Sequence, residues 1–153
     1  RKSMRSAKPV TLNFLLDNNV FISAIKEPRR QTKTLRLLLC IIGEPSIGLV
    51  GNELLVEEMA RYAELLMSET AANLLHALIS KMKIVKVQKN YLKICQSYIR
   101  TQDKWDILHA ATCLQAGAVL ISNDRHFDKI RDEGIIEVWS TTRAIKELLS
   151  GDS

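Results

Sequence analysis

The chain is poor in the residues that mark extracellular, fibrous and membrane-spanning proteins. Its 153 residues include three cysteines, Cys40, Cys95 and Cys113, with no CxxC pair among them. An odd, scattered set argues against a disulfide framework and a cysteine-based zinc site. Each cysteine lies among apolar helix-forming residues, so buried reduced thiols in a reducing, cytoplasmic setting are expected. Three prolines and six glycines are too few for a low-complexity or collagen-like chain. No apolar run approaches the roughly 18 residues of a membrane helix, so no membrane association is expected. The basic opening Arg1-Lys2-Ser3-Met4-Arg5 leads into Ser6, Ala7, Lys8 and Pro9 rather than an apolar segment, so no secretory signal is expected. Neither a GxxxxGK(S/T) phosphate loop nor a GxGxxG fingerprint occurs, which leaves nucleotide hydrolysis and dinucleotide binding without motif support.

What is present suits one ordinary globular domain: 46% hydrophobic residues and 25% charged. Residues 1–8 read as a disordered leader or cloning remnant, and 9–150 as a single domain. The net charge of +5 favours an anionic partner such as nucleic acid. Part of that charge sits in the leader.

Short apolar runs alternate with longer amphipathic patterns. Val10–Leu16, Ile47–Val50, Ile84–Val87, Ala118–Ser122 and Ile135–Trp139 read as buried strands. Between them, Leu35, Leu38, Leu39 and Ile42 share one helix face, Leu54–Leu66 is an acidic helix, and Leu74–Met82 continues the pattern. Further helices are expected near Tyr91–Arg100, over Lys104–Ala116 with a stripe of Ile107, Ala110, Ala111 and Leu114, and over Thr141–Leu149. Strands separated by helices predict an α/β fold, a three-layer α/β/α arrangement around a central parallel five-stranded sheet. The basic stretch Pro28-Arg29-Arg30-Gln31-Thr32-Lys33 reads as an exposed loop.

Four acids stand out by their place in this pattern. Asp17 directly follows the first strand, and Asp124 follows the fourth by two residues. Glu57 lies early in the helix after the second strand, and Asp106 in the first turn of the helix leading into the fourth. Crossover helices run antiparallel to the strands of a parallel sheet. Their first turns therefore lie over the strands' C-terminal edge, where open α/β sheets bind ligands. Clustered carboxylates raise one another's pKa, and a hard divalent cation relieves the conflict. Such an ion activates water and stabilises the leaving oxygen of a phosphodiester. Each acid taken singly also has a structural reading. Asp17 and Asp124 are plausible helix caps, Asp103 and Asp106 are spaced as a capping box, and Glu57 is one of several solvated acids.

The words around these acids resemble the PIN-domain family. Leu16-Asp17-Asn18-Asn19-Val20-Phe21 is similar to its opening motif, and Glu53-Leu54-Leu55-Val56-Glu57-Glu58 to its second. Asp103-Lys104-Trp105-Asp106-Ile107-Leu108-His109-Ala110-Ala111 resembles the third, and Ser122-Asn123-Asp124-Arg125-His126-Phe127 the fourth. The motifs occur in the family's order across roughly residues 10–140. The resemblance implies a Mg²⁺- or Mn²⁺-dependent ribonuclease with Asp17, Glu57, Asp106 and Asp124 as metal ligands and catalytic carboxylates. It makes Asn19 a support for the first Asp, Ser122 a hydrogen-bonding neighbour, and Asp103 an accessory acid or a cap. Glu57 is preferred over the adjacent Glu58, which points about 100° away on an ideal helix. The family includes toxins of toxin–antitoxin pairs, so an antitoxin partner and a homodimer are further expectations.

Other residues admit two readings. Arg125, Arg29, Arg30 and Lys33 are candidate phosphate contacts or solvated cations. Trp105 stacks a base or, as preferred here, packs against the domain. His109 and His126 assist proton transfer or are simply packed or turn histidines, the second being preferred; His76 has no acidic neighbours of its own. The alternative function is a PIN-like RNA- or protein-binding module without turnover. A haloacid-dehalogenase-type phosphatase is disfavoured, because Asn19 stands where that chemistry needs a second Asp.

Overall fold

The structure is a computed structural model that describes residues 12–26 and 32–149. The leader, Val10, Thr11, Arg29 and Arg30 lie outside the described residues. Five parallel strands form one sheet in the order β3-β2-β1-β4-β5. They are β1 (Leu12–Leu16), β2 (Ile47–Gly51), β3 (Met82–Ile84), β4 (Val119–Ile121) and β5 (Val138–Trp139). Among the described residues, eight α-helices flank the sheet. They are α1 (Asn18–Ile25), α2 (Lys33–Gly43), α3 (Glu53–Leu66), α4 (Glu69–Lys81), α5 (Lys89–Gln96), α6 (Lys104–Ala116), α7 (Asp128–Asp132) and α8 (Thr141–Leu149).

Successive residues Phe14, Leu15 and Leu16 are all buried, so β1 is covered on both faces. That is the pattern of a parallel strand between helical layers. Phe14 meets Trp139 edge-on across the sheet, with ring centroids 5.2 Å apart. Helix starts carry their own signals. Thr32, Asn52 and Ser68 each accept a backbone N–H three residues on. Helix α6 stops at Gly117, whose φ of 66° suits a residue without a side chain.

Among the described residues, two strands start more than one residue away from the sequence pattern. β3 starts at Met82 rather than Ile84, because its partner β2 ends at Gly51 and the register pairs Leu49 with Met82 and Gly51 with Ile84. Only the Val85 N–H continues the ladder, to the Gly51 carbonyl at 2.8 Å. β5 starts at Val138 because the Ile135 N–H closes the end of α7 on the Ile130 carbonyl, 3.1 Å away. Cys95 and Cys113 are buried thiols, and the half-buried Cys40 points its Sγ at the Leu148 carbonyl, 3.8 Å away. Burial pushes the Cys95 thiol up to about 11 and that of Cys113 further still. No described helix is long and apolar enough to cross a membrane.

The order of the strands fixes where a site can form. The chain winds from β1 through β2 to β3 on one side, then returns to place β4 on the other side of β1. The direction therefore reverses between β1 and β4, and a crevice opens at their C-terminal ends.

Candidate metal centre

Asp17 stands on that crevice. Its backbone N–H bonds the Ile121 carbonyl at 3.0 Å, one residue beyond the β1–β4 ladder. It is the N-cap residue of α1, yet its side chain makes no cap bond. Instead Asp17 Oδ2 accepts a 2.6 Å hydrogen bond from Ser122 Oγ at the end of β4. The same Ser122 Oγ accepts the Asp124 N–H at 3.0 Å, so one buried hydroxyl fixes both β-strand acids. Burial raises the Asp17 pKa and outweighs the opposing Ser122 hydrogen bond; the nearby Asp124 charge raises it further.

Asp106 approaches from the first turn of α6. Its pKa is also raised, by burial first and by the charges of Asp124 and Asp17, against the opposing hydrogen bond from His126. Asp17, Asp106 and Asp124 thus lie within one another's electrostatic reach, although 89 residues separate the first two in sequence (17 and 106). Asp124 also does a structural job: its Oδ1 accepts the His126 N–H at 2.9 Å and caps the short turn Arg125–Phe127.

His126 stands among the acids. Its Nδ1 lies 2.6 Å from Asp106 Oδ2, 3.4 Å from Asp124 Oδ1 and 3.8 Å from Asp103 Oδ2. Its pKa is raised, chiefly by the Asp106 hydrogen bond and then by Asp124 and Asp103. Asp103 begins α6, but its side chain makes no cap bond, so the capping-box reading does not hold. Its Oδ2 is buried without a hydrogen-bond partner. Asp103, Asp106 and His126 each offer a ligand atom within 4.8 Å of the others. An orphaned carboxylate oxygen beside mutually repelling carboxylates suits a hard divalent cation, which prefers oxygen donors.

Glu57 is exposed. It lines a groove with Glu53, Val85, Lys86 and Leu108. Its neighbour Glu58 turns the other way, where its Oε1 lies 3.2 Å from Nε2 of the buried His109. His109 in turn is within electrostatic reach of Asp17. Burial of His109 removes it from proton transfer to a substrate. Asn19 is exposed at the crevice; its backbone N–H, not its side chain, lowers the Asp17 pKa slightly. Trp105 is 57% exposed, against the packing expected of it, because it lies about 160° around α6 from the buried Ile107. Arg125 and Lys33 are exposed, and His76 stands exposed away from any of these acids. Sequence reasoning left out Asn52, the buried polar partner of His109, and Thr112, which accepts from Asn52. Asn52 carried a signal as an N-cap before an apolar helix; Thr112 carried none.

Comparison with known proteins follows the same lines. VapBC-1 from nontypeable Haemophilus influenzae superposes with a TM-score of 0.58 at 18% identity, covering 86% of this chain and 99% of that one. FitAcB from Neisseria gonorrhoeae gives 0.54 at 20%, covering 84% and 98%. VapBC2 from Rickettsia felis, solved bound to a DNA fragment from its promoter, gives 0.55 at 14%, again covering 84% and 98%. At these identities the likeness is one of fold. No curated protein sequence matches the chain. The family model described as PIN domain matches residues 14–133, a span that holds the C-terminal ends of both crevice strands and every acid there, and the chain belongs to the PIN-domain family.

Proposed function

We propose that the chain is a divalent-metal-dependent endoribonuclease hydrolysing RNA phosphodiester bonds, with Asp17, Glu58, Asp106 and Asp124 holding Mg²⁺ or Mn²⁺. The observation that carries this reading is the convergence of Asp17, Asp106 and Asp124 at the β1–β4 crevice, with burial raising two of their pKa values. Of the adjacent pair, the motif alone favours Glu57, whereas the contact of Glu58 with the buried His109 supports Glu58. A bound ion supplies Lewis acidity toward the phosphodiester.

The chain's own residues do the rest. Ser122 holds the Asp17 carboxylate in one orientation and sets the Asp124 backbone. Asp103 and His126 flank the centre from the α6 side. Arg125, exposed next to Asp124, contacts a phosphate on the incoming strand; Lys33 is a more distant candidate, and the same role for Arg29 and Arg30 falls outside the described residues. Trp105, exposed beside Asp106, offers an indole face on which a base stacks. The chain is further proposed to be a cytoplasmic toxin that dimerises and whose antitoxin covers the acidic rim; the fold shared with VapBC-1 and FitAcB supports the toxin assignment.

The test is cleavage of varied RNAs with Mn²⁺ or Mg²⁺, against EDTA and against Asp17→Asn. Cleavage lost in both controls supports the proposal. Metal binding without cleavage of any RNA overturns it in favour of a binding module. For the toxin assignment, growth arrest on expression, relieved by the product of a neighbouring gene, is expected; harmless expression refutes it.

A further inference from the structure

A buried polar network behind the crevice has no place in the chemistry described above. Asn52 caps α3 from the end of β2, with its Oδ1 accepting the Leu55 N–H at 2.8 Å. That bond settles which amide atom is which: the remaining atom is the NH₂ group. Its two hydrogens face Thr112 Oγ1 at 2.9 Å and His109 Nδ1 at 3.1 Å. Thr112 uses its own hydrogen on the Leu108 carbonyl at 2.8 Å, so its oxygen is free to accept. His109 Nδ1 therefore faces a donor and must be the acceptor nitrogen of the ring. The ring hydrogen is on Nε2, 3.2 Å from Glu58 Oε1. Asn52, His109 and Thr112 are each at most 3% exposed, so water does not compete for these bonds.

We infer that His109 is a positioning residue: Asn52 locks its ring in the Nε2–H tautomer, and the ring then holds the Glu58 carboxylate toward the metal centre. The inference rests on the proposed metal site. Glu58 needs such a hold. Glu has three freely rotating bonds, and Glu58 lies at the border of the buried face of α3 formed by Leu55, Met59 and Ala63. Unheld, it would spread over several rotamers in water, and ordering it would be charged against metal affinity. The lock is anchored at both ends. The Asn52 amide cannot turn over without losing the Leu55 cap, and the ring cannot flip without setting carbon against both Asn52 and Glu58. One residue thereby couples the start of α3 to the orientation of a carboxylate two turns along the same helix. Neighbours that fix a ligand's orientation in this way commonly contribute about 10–100-fold in metal affinity.

The test compares His109→Leu with His109→Gln in the full chain, measuring Mn²⁺ affinity by electron paramagnetic resonance. Leu fills the space without polar atoms. Gln presents an NH₂ group to Glu58 and a carbonyl to Asn52. The expected result is a loss of about 10–100-fold in Mn²⁺ affinity for Leu, with most of it recovered by Gln. ¹⁵N spectra of the wild-type ring in EDTA should show a protonated Nε2 and a bare Nδ1, and this readout requires neither variant to fold. An Nδ1–H ring overturns the inference, as does a Leu variant that binds Mn²⁺ like wild type. If wild type itself binds no Mn²⁺ while the Nε2–H tautomer is observed, the metal site fails and the purpose assigned to the lock fails with it.

Discussion

Replacing Asp17 with asparagine should make the metal-free protein more stable. The carboxylate is 7% exposed, and its pKa is raised because burial outweighs the Ser122 hydrogen bond. A raised pKa in an acid means that folding favours the neutral form. Asparagine is neutral and nearly isosteric, and its oxygen still accepts from Ser122 Oγ. Relief of strain at a site of this kind is worth on the order of 1 kcal/mol, or roughly 3 °C in Tm for a chain of this size. The gain must depend on pH. The native state binds more protons than the unfolded one between the ordinary value of 3.8 and the raised one, so wild-type stability falls as pH rises through that window and stays lower above it. The advantage of Asp17→Asn is therefore absent well below that window and complete at neutral pH. Metal reverses the order. A ligand at 100 times its Kd stabilises wild type by about 2.7 kcal/mol, roughly 5–10 °C, and the variant gains almost nothing. Thermal melts followed by circular dichroism, in EDTA and in Mn²⁺, across pH, measure all of this. A variant less stable than wild type in EDTA at neutral pH refutes the reasoning, since the carboxylate would then support the fold instead of straining it.

Glu58→Gln should weaken Mn²⁺ binding by about 10–100-fold, while Glu57→Gln changes it by less than about 2-fold; isothermal titration of the two variants decides between these neighbours. The pKa of His126 is raised above its ordinary 6.5 by Asp106 first, so its contribution is complete below 6.5 and is lost as pH rises through the higher folded value. His126→Gln in EDTA should remove that decline from the profile of Tm against pH, and an unchanged profile counts against the ring's pairing with the acids. Trp105→Ala should weaken single-stranded RNA binding by roughly 1–3 kcal/mol with Tm essentially unchanged. A large fall in Tm would return the indole to a packing role.

The fold was legible because β1 and β4 are apolar runs with an acid directly after the first and three residues after the second, and the helices between them have clear buried stripes. The sequence places Asp17 and Asp124 at strand ends by covalent proximity alone, and the antiparallel sense of a crossover helix brings Asp106 to the same edge. The limits of β3 were not legible. Ile84, Val85 and Val87 look at least as strand-like as Met82. What decides the strand is the end of β2 at Gly51, and nothing in residues 82–87 encodes where a neighbouring strand stops. The crowd of acids around His126 was hidden for a similar reason. It needs the short turn after β4 to aim the ring back at the start of α6, a contact across twenty residues.

The direction in which each of Glu57 and Glu58 points was within reach of the sequence. Leu55, Met59 and Ala63 mark the buried face of α3. Measured from the middle of that face, Glu57 points about 160° away and Glu58 about 100°. A carboxylate that serves a rim between helix and sheet has to sit at the border of the buried face, since one opposite it reaches only water. The same arithmetic turns Trp105 outward from Ile107 on α6. In both helices the informative reference is the apolar stripe, because burial fixes how the helix is rolled against the sheet before any polar side chain finds a partner. What such arithmetic cannot supply is the hold on Glu58. Asn52, His109 and Thr112 come from two helix segments more than fifty residues apart, and only the packing of α3 beside α6 brings donor and acceptor together.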